Sequence, residues 1–410
     1  MQDTPKETLT EFNEEHQVLG DSVIDAFRYL ESIWHAEEGS EDVEVPIHPS
    51  YQEDFCFEKA NSREDVVARL HLCTLPLLAR QLSRLQQLLD PAGLRTEPES
   101  RLTHISWIQS QVGHTVTQIQ TATALVCPKP LAWGRRRDDR HLKELKGFRL
   151  LLITDRIQDA MWSTAHFFDS AGKLLKQIGL TTDETTPGGH PCRCHARWNQ
   201  KALQAIRLAI YCLESESECD LVKHHWRFDV KWELLSTKKA ILMLPPNPLS
   251  ANYEEEAQSR LVREPAIQLT QSVLPISMLS RHFYVAVGNM MAQLPTYTEM
   301  NSHQLSSLYI SAEHTGENLN EILELIADAD NTLCRGETIP ICARIREAAG
   351  EILERFEELL LILVLHLLPL VPGTDTVYNQ DFFFKWHSMM TVFIDSFQRS
   401  NDRLEDSSLQ

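Results

Sequence analysis

The stretch ITDRIQDAMWSTAHFFDSAGKLLKQIG, residues 153–179, decides the fold class. Its small and apolar positions Ile153, Ile157, Ala160, Thr164, Phe167, Ala171, Leu174 and Ile178 alternate steps of three and four, which sets them on one stripe of an α-helix. Gly179 then supplies a stop, because glycine tolerates the left-handed conformation that ends many helices. A stripe this long and narrow suits the packing of one helix against neighbouring helices.

The same rhythm recurs on both sides. Leu75, Leu78, Leu82, Leu85 and Leu89 keep it until Asp90 and Pro91, and Ile105, Val112, Ile119 and Val126 recur every seven residues before Pro128. Trp198, Ala202, Ala205, Ala209 and Leu213 form a further stripe, followed by Leu221, Phe228, Trp232, Leu235 and Leu242. Residues 254–294 read as helix with bends near Pro265 and Pro275. Leu305, Leu308, Ala312, Leu319, Ile322 and Ile326 follow, with Asn301 and Ser302 as N-cap residues. Ile345, Ala349, Ile352, Phe356, Leu359 and Leu363 build the next helix, and Phe382, Trp386, Met389, Phe393 and Phe397 the last. No segment alternates with period two over a useful length, so the expected class is all-α, long antiparallel amphipathic helices in two packed bundles. Leu75-Pro76 and Leu274-Pro275 each read as the start of a helical segment in their respective halves.

Pro245, Pro246, Asn247 and Pro248 exclude helix, because proline lacks the amide donor and pushes the preceding residue out of the α region. The expected organisation is an acidic N-terminal helix and loop over 1–61, a first bundle over 62–244 and a proline-rich linker over 245–253. A second bundle over 254–398 and a polar tail over 399–410 complete it. Residues 39–60 and 181–196 read as loops, the latter carrying Pro187, Gly188, Gly189 and Pro191.

Only 15 glycines occur in 410 residues, about half the usual share of about 7%, which disfavours the doubly wound α/β folds that need glycine at their phosphate turns. The formal charge of −19 repels a phosphate backbone, so general nucleic-acid binding is not expected. The charge is unevenly spread: residues 1–60 hold sixteen acids against Lys6, Arg28 and Lys59, whereas residues 129–149 hold eight bases against three acids. The N-terminus lacks the basic start and apolar run of a secretory signal, which places the chain in the cytoplasm and its nine cysteines as thiols. The most apolar run, Leu359 to Val371, is thirteen residues long, short of the roughly 17 that a membrane helix needs, and reads as the fully buried end of a core helix.

Catalytic spacings are absent. The sequence has no GxxxxGK[ST] loop, GxGxxG turn, HExxH or GxSxG, and none of its 17 histidines follows a glutamate by three residues as a di-iron bundle requires. No catalytic, cofactor-binding or metal-ligating residue is assigned and no cofactor is expected. The densest cluster of soft ligands is His190, Cys192, Cys194 and His195, with His224 and His225 as further imidazoles. A Cys-x-Cys spacing without a distant partner pair does not wrap a tetrahedral zinc ion, so a solvent-facing loop is the favoured reading. The run Arg135-Arg136-Arg137 invites a nuclear-import or phosphate-contact reading, but Asp138 and Asp139 interrupt it. His366 falls on the apolar seam of its helix and reads as a neutral, hydrogen-bonded core histidine.

Leu75-Pro76-Leu77-Leu78 leading to Leu88-Leu89-Asp90-Pro91, and Gln118-Ile119-Gln120 ending at Cys127-Pro128, carry a family resemblance. With Leu269 to Pro275 and the aromatic helix from Tyr378 to Phe397, they make the chain resemble helical proteins of unknown function from mushroom-forming fungi. The stacked bundles are similar in style to the vinculin and cyclin-D-binding type of helical protein, at the level of fold alone. The resemblance implies no reaction, ligand or catalytic residue. What remains is a non-enzymatic interaction module that offers helical faces to a protein partner. The alternatives are an enzyme or small-molecule carrier with a pocket between helices, and a nuclear regulatory protein acting through the basic run.

Overall fold

The computed structural model describes residues 12–35, 63–126, 138–183, 194–215, 217–245, 260–292, 294, 296–332, 338–371 and 375–407. Among the described residues there is no strand, and the chain is all-α. It divides into two compact units, residues 1–132 with 149–214, and residues 133–148 with 215–410.

The first unit contains α1 (Glu14–His35), α2 (Arg63–Arg69), α3 (Leu75–Leu88), α4 (Pro91–Thr96), α5 (Pro98–Val126), all but the first two residues of α6 (Gly147–Gln177), and α7 (Cys194–Glu214). The stripes of α3, α5 and α6 are its core. Leu75, Leu78, Leu82 and Leu85, then Ile105, Val112, Ile119 and Val126, and every stripe residue of α6 from Ile153 to Leu174 are buried. Burial of each Leu, Ile, Val or Phe among them stabilises by roughly 1.5–3 kcal/mol. Asp90 caps α4 by accepting from the Gly93 amide at 2.9 Å, which explains why the α3 rhythm stops there.

α1 runs antiparallel to α6, with Phe27 stacked on Phe168 at 5.4 Å. Gly20 makes this approach possible, since a Cβ there would lie 2.2 Å from the Leu180 carbonyl oxygen. Gly179, at φ +85°, ends α6, and the Leu180 amide reaches back to the Leu175 carbonyl, a Schellman closure. The Asp21 carboxylate then locks the corner, accepting from the Thr181 and Thr182 hydroxyls and from the Thr182 amide at 3.1 Å.

The second unit contains α8 (Glu218–Met243), α9 (Glu264–Met291), α10 (Ser302–Thr332), α11 (Thr338–Ile362) and α12 (Asp375–Ser407). Neighbours in sequence run antiparallel. Trp226 of α8 meets Tyr284 of α9, Arg344 of α11 pairs with Glu321 of α10, and Phe356 of α11 packs on Trp386 of α12. Phe283, Tyr284, Phe356 and Trp386 form the aromatic centre, and the Trp386 and Trp226 indoles donate to the Leu279 and Leu308 carbonyls. Asn301 and Gln304 exchange backbone-to-side-chain bonds at 3.0 Å in a reciprocal cap, so Asn301 is the N-cap of α10.

Several expectations are corrected. The two units part between Glu214 and Ser215, not at 245–253, because prolines stop a helix wherever it lies, and here α8 and α9 flank them within one unit. Residues 260–263 are not helical, and Pro265 sits in the first turn of α9, where its missing N–H is harmless, rather than at a bend. Pro275 lies inside α9 and not at its start. Residues 194–196 belong to α7 rather than to a loop.

Leu75-Pro76 does not begin a helix either. Residues 63–88 are helical without a break, with a π segment over Leu70–Thr74. A second π segment, Leu363–Leu367, lies before Leu368-Pro369. In both places the residue preceding proline donates five residues back, Leu75 to Leu70 and Leu368 to Leu363. The wider turn eases the clash of the proline ring with the carbonyl four residues earlier.

The run Leu359 to Val371 is therefore not buried on all sides. Leu359, Leu363 and Leu367 face the core, whereas Leu361, Val364 and Leu365 are 60%, 44% and 58% exposed. No helix among the described residues is long and apolar enough to cross a membrane.

The last helix has a different register and length from those expected. Its buried face is Phe383, Trp386, Met390, Ile394, Phe397, Asn401 and Leu404, while Met389 is 49% exposed and Phe393 half-buried. The runs Phe382–Phe384, Met389-Met390 and Val392–Ile394 offer apolar residues to either register, and packing against α9 and α11 chooses. Residues 399–407 continue α12 instead of forming a tail. The buried Asn401 amide donates to the Cys342 carbonyl at 2.9 Å, and Arg346 bridges Asp402 and Glu405. Asn401→Leu is expected to destabilise the second unit by about 1–3 kcal/mol in urea unfolding, because the Cys342 carbonyl loses its side-chain donor. A change inside experimental error would contradict this end of the fold. The loop expected over 39–60, the linker residues 246–253 and the side chains of Phe228, Trp232 and Leu235 lie outside the described residues.

Candidate functional site

α3 and α7 run antiparallel, with His71, just before α3, bonded to Glu214 at the end of α7 at 3.0 Å. Between them lies an open depression of about 320 Å³ lined by Ala79, Arg80, Ser83, Arg84, Gln87, Leu203 and Arg207. Arg80, Arg84 and Arg207 are exposed, and Ala79 and Leu203 form a half-buried apolar floor. Among the described residues no carboxylate lines it. α3 contains no acid at all, and the single acid of α7, Glu214, already faces His71. Arg80 and Arg84 are four residues apart on one helical face, where like charges repel. Arg84 donates to the Gln87 side-chain oxygen at 3.1 Å, and Ser83 donates to the Ala79 carbonyl, leaving its oxygen able to accept.

The second unit holds a buried polar network with a different character. Lys146, fully buried, pairs with the buried Glu218 at 2.7 Å and donates to the Thr298 carbonyl at 2.8 Å. Glu218 accepts in turn from the Thr298 hydroxyl at 2.8 Å and amide at 3.2 Å. Asp139 accepts from the Ser302 hydroxyl, from the Ser302 amide at 2.9 Å and from the Gly147 amide at 2.9 Å. The Ser302 hydroxyl oxygen accepts from the Phe148 amide, and Lys143 between these anchors takes φ +48°, a conformation that a non-glycine residue holds only when its surroundings impose it. Every charge here has a protein partner. The network stitches residues 138–148 to the starts of α8 and α10, and it leaves no group free to act on a ligand.

Burial pushes the Asp139 carboxyl up, but the bonds from Ser302 and Gly147 outweigh it, so its pKa lies below the ordinary value of 3.8. Asp21 behaves alike, burial being outweighed by Thr181 and Thr182 with help from Lys176. A depressed carboxyl stabilises fully above its unfolded pKa, and that contribution is lost as pH falls through the folded pKa. Urea unfolding should therefore show stability declining below about pH 4, with a shallower decline in Asp139→Asn. Equal acid sensitivity of the two proteins would rule out this role for Asp139.

The groups singled out from sequence do not converge. Cys192 lies outside the described residues, Cys194 is disulfide-bonded, and His195 is buried in the first turn of α7. The expectation that all cysteines are thiols is thus corrected at Cys194, and an oxidised sulfur is no thiolate ligand. His225 stacks on Tyr309 at 3.7 Å and lies 3.7 Å from Glu313. Among the described residues no group of three or more His, Cys, Asp or Glu is placed to hold a metal. Cys212, Cys219 and Cys342 are buried, which pushes their thiols up to about 11, about 12 and about 11, so they are protonated at neutral pH.

His366 is half-buried, and the Gln304 side-chain amide donates to its Nε2 at 2.8 Å. Burial and then Arg140 hold its pKa below 6.5, against Glu299. Of the basic stretch 129–149, Lys146 and Arg149 are buried and Arg140 pairs with Asp138 at 2.8 Å, while 129–137 lie outside the described residues.

Two family models match the chain. Residues 63–214 match a domain of unknown function (DUF8723), and residues 217–399 match another (DUF8721). No curated protein and no solved structure matches it. The gap between the two matches falls where the compact units part, at Glu214 and Ser215. The α3/α7 groove lies wholly inside the first match. Lys146 lies inside the first matched span but is folded into the second unit.

Sequence reading missed the groove and the network alike. Arg80, Arg84 and Arg207 look like ordinary solvated helix positions until α3 meets α7. The one available signal was that α3 lacks any acid in a chain with 58 of them.

Proposed function

We propose that this chain is a non-enzymatic helical-bundle protein that works in the cytoplasm as a protein–protein interaction module. The observation that carries the reading is the α3/α7 groove, a place where three exposed arginines gather with no carboxylate among the described lining residues, in a chain of net charge −19. Such a surface is uncompensated by the described residues that line it and is complementary to an acidic partner. The buried ionisable groups support the same reading, since Lys146 and Glu218 pair with each other, Asp139 is held by Ser302 and the Gly147 amide, and the buried thiols are protonated.

A carrier or enzyme would be favoured by an enclosed apolar pocket with a few convergent polar groups. The groove is instead open and rimmed by guanidiniums. The overall negative charge argues against nucleic acid as the partner, and the burial of Lys146 and Arg149 weakens the basic run as a nuclear phosphate contact.

Affinity purification of the tagged full chain from its own cells at low salt tests the proposal. It predicts a protein retained in near-stoichiometric amount. Recovery of the chain without any such protein, carrying a small molecule released on denaturation, would favour the carrier reading.

A further inference from the structure

We propose that the α3/α7 groove is the docking site for an acidic peptide segment of the protein partner. This rests on the interaction-module reading and names the chemistry of its ligand.

The lining determines that chemistry. Arginine guanidinium is planar and always charged, and it meets a carboxylate through two parallel N–H bonds. Arg80 and Arg84 stand one helical turn apart on one bank, with their Cβ atoms about 6 Å apart as for any i, i+4 pair, and Arg207 stands on the other bank. Carboxylates two residues apart on an extended peptide, or four apart on a helix, have nearly the same repeat. A peptide therefore answers the spacing along α3 as well as the charge. The floor of Ala79 and Leu203 accepts short aliphatic groups between the acids, and the Ser83 oxygen accepts a peptide N–H.

The shape excludes tighter modes. The depression is open rather than enclosed, so a compact ligand gains little burial there, whereas a chain segment gains contact along the whole groove. On the α7 bank no acid occurs between Cys194 and Leu213. Binding also relieves the Arg80–Arg84 repulsion, which no carboxylate among the described lining residues offsets.

The test uses the full chain and a fluorescein-labelled synthetic peptide of alternating glutamate and leucine, about a dozen residues long, followed by fluorescence anisotropy. Exposed charge pairs are worth up to about 1 kcal/mol each, so Arg80→Glu with Arg84→Glu should weaken binding by about tenfold or more. Raising the salt should weaken the wild type and have little effect on the variant. Lys173→Glu with Lys385→Glu, which changes the net charge equally but away from the groove, should leave binding unchanged. Circular dichroism melts of all variants should coincide with wild type, because each substituted residue is exposed.

Equal weakening by the groove variant and the distant variant would show general electrostatics and overturn the proposal. So would absence of saturable binding, or displacement of the peptide by inorganic phosphate at lower concentration than by unlabelled peptide. If these fail while the affinity purification still retains a partner, the interaction reading stands and only the groove's role falls. If no partner is retained, both fall.

Discussion

Lys146→Met is expected to destabilise the second unit by roughly 3–5 kcal/mol, because it leaves the Glu218 carboxylate buried without its cation. The Thr298 hydroxyl and amide still donate to Glu218, but two neutral donors do not replace an ammonium at 2.7 Å. The double variant Lys146→Met with Glu218→Gln should recover part of the loss, since the uncompensated charge is gone while the Thr298 bonds have a carbonyl to meet. Urea unfolding read by hydrogen exchange of α8 and α10 peptides checks both. A change below about 1 kcal/mol in the single variant would place Lys146 in solvent and dissolve the network.

The second large effect concerns the apolar run before Pro369. Leu363 is fully buried at the first position of its π segment, and Leu363→Asp should cost on the order of 4 kcal/mol by putting an unpaired carboxylate in the core. Leu361→Asp, two residues away but 60% exposed, should cost within about half a kcal/mol. Thermal melts of the two variants decide the phase of this segment. Comparable losses would mean that the run is buried on all sides, the arrangement first read from its composition.

These two segments show what sequence carries and what it omits. The stripes of α3, α5, α6, α10 and α11 were legible because apolar residues recur at steps of three and four, and burial follows those steps residue by residue. In α12 the same method fails by one position, since Phe382 to Phe384 and Met389-Met390 satisfy two registers and only the neighbours α9 and α11 select one. Its C-terminal turns looked like a tail because Asn401, Asp402 and Glu405 are polar, yet each finds a partner on α11.

The unit boundary was misread for a physical reason. Proline reports that a helix stops, not that a core ends, and the junction of Glu214 and Ser215, where the units part, has neither proline nor glycine. Asp139 appeared to interrupt a basic run, whereas it accepts three bonds from Ser302 and Gly147. Contacts between residues separated by 163 positions leave no local pattern to read. The groove is the same kind of case, because only the antiparallel meeting of α3 and α7 brings Arg207 to Arg80 and Arg84.

The claim that this groove is where the protein meets its partner is tested most directly by one comparison. Tagged wild type and the triple variant Arg80→Glu, Arg84→Glu, Arg207→Glu are purified from the same cells, and the retained proteins are quantified by mass spectrometry. A protein rich in Asp and Glu should be retained by the wild type and lost by about tenfold or more from the variant, as three exposed charge contacts imply. The same proteins retained in equal amounts by both would contradict it.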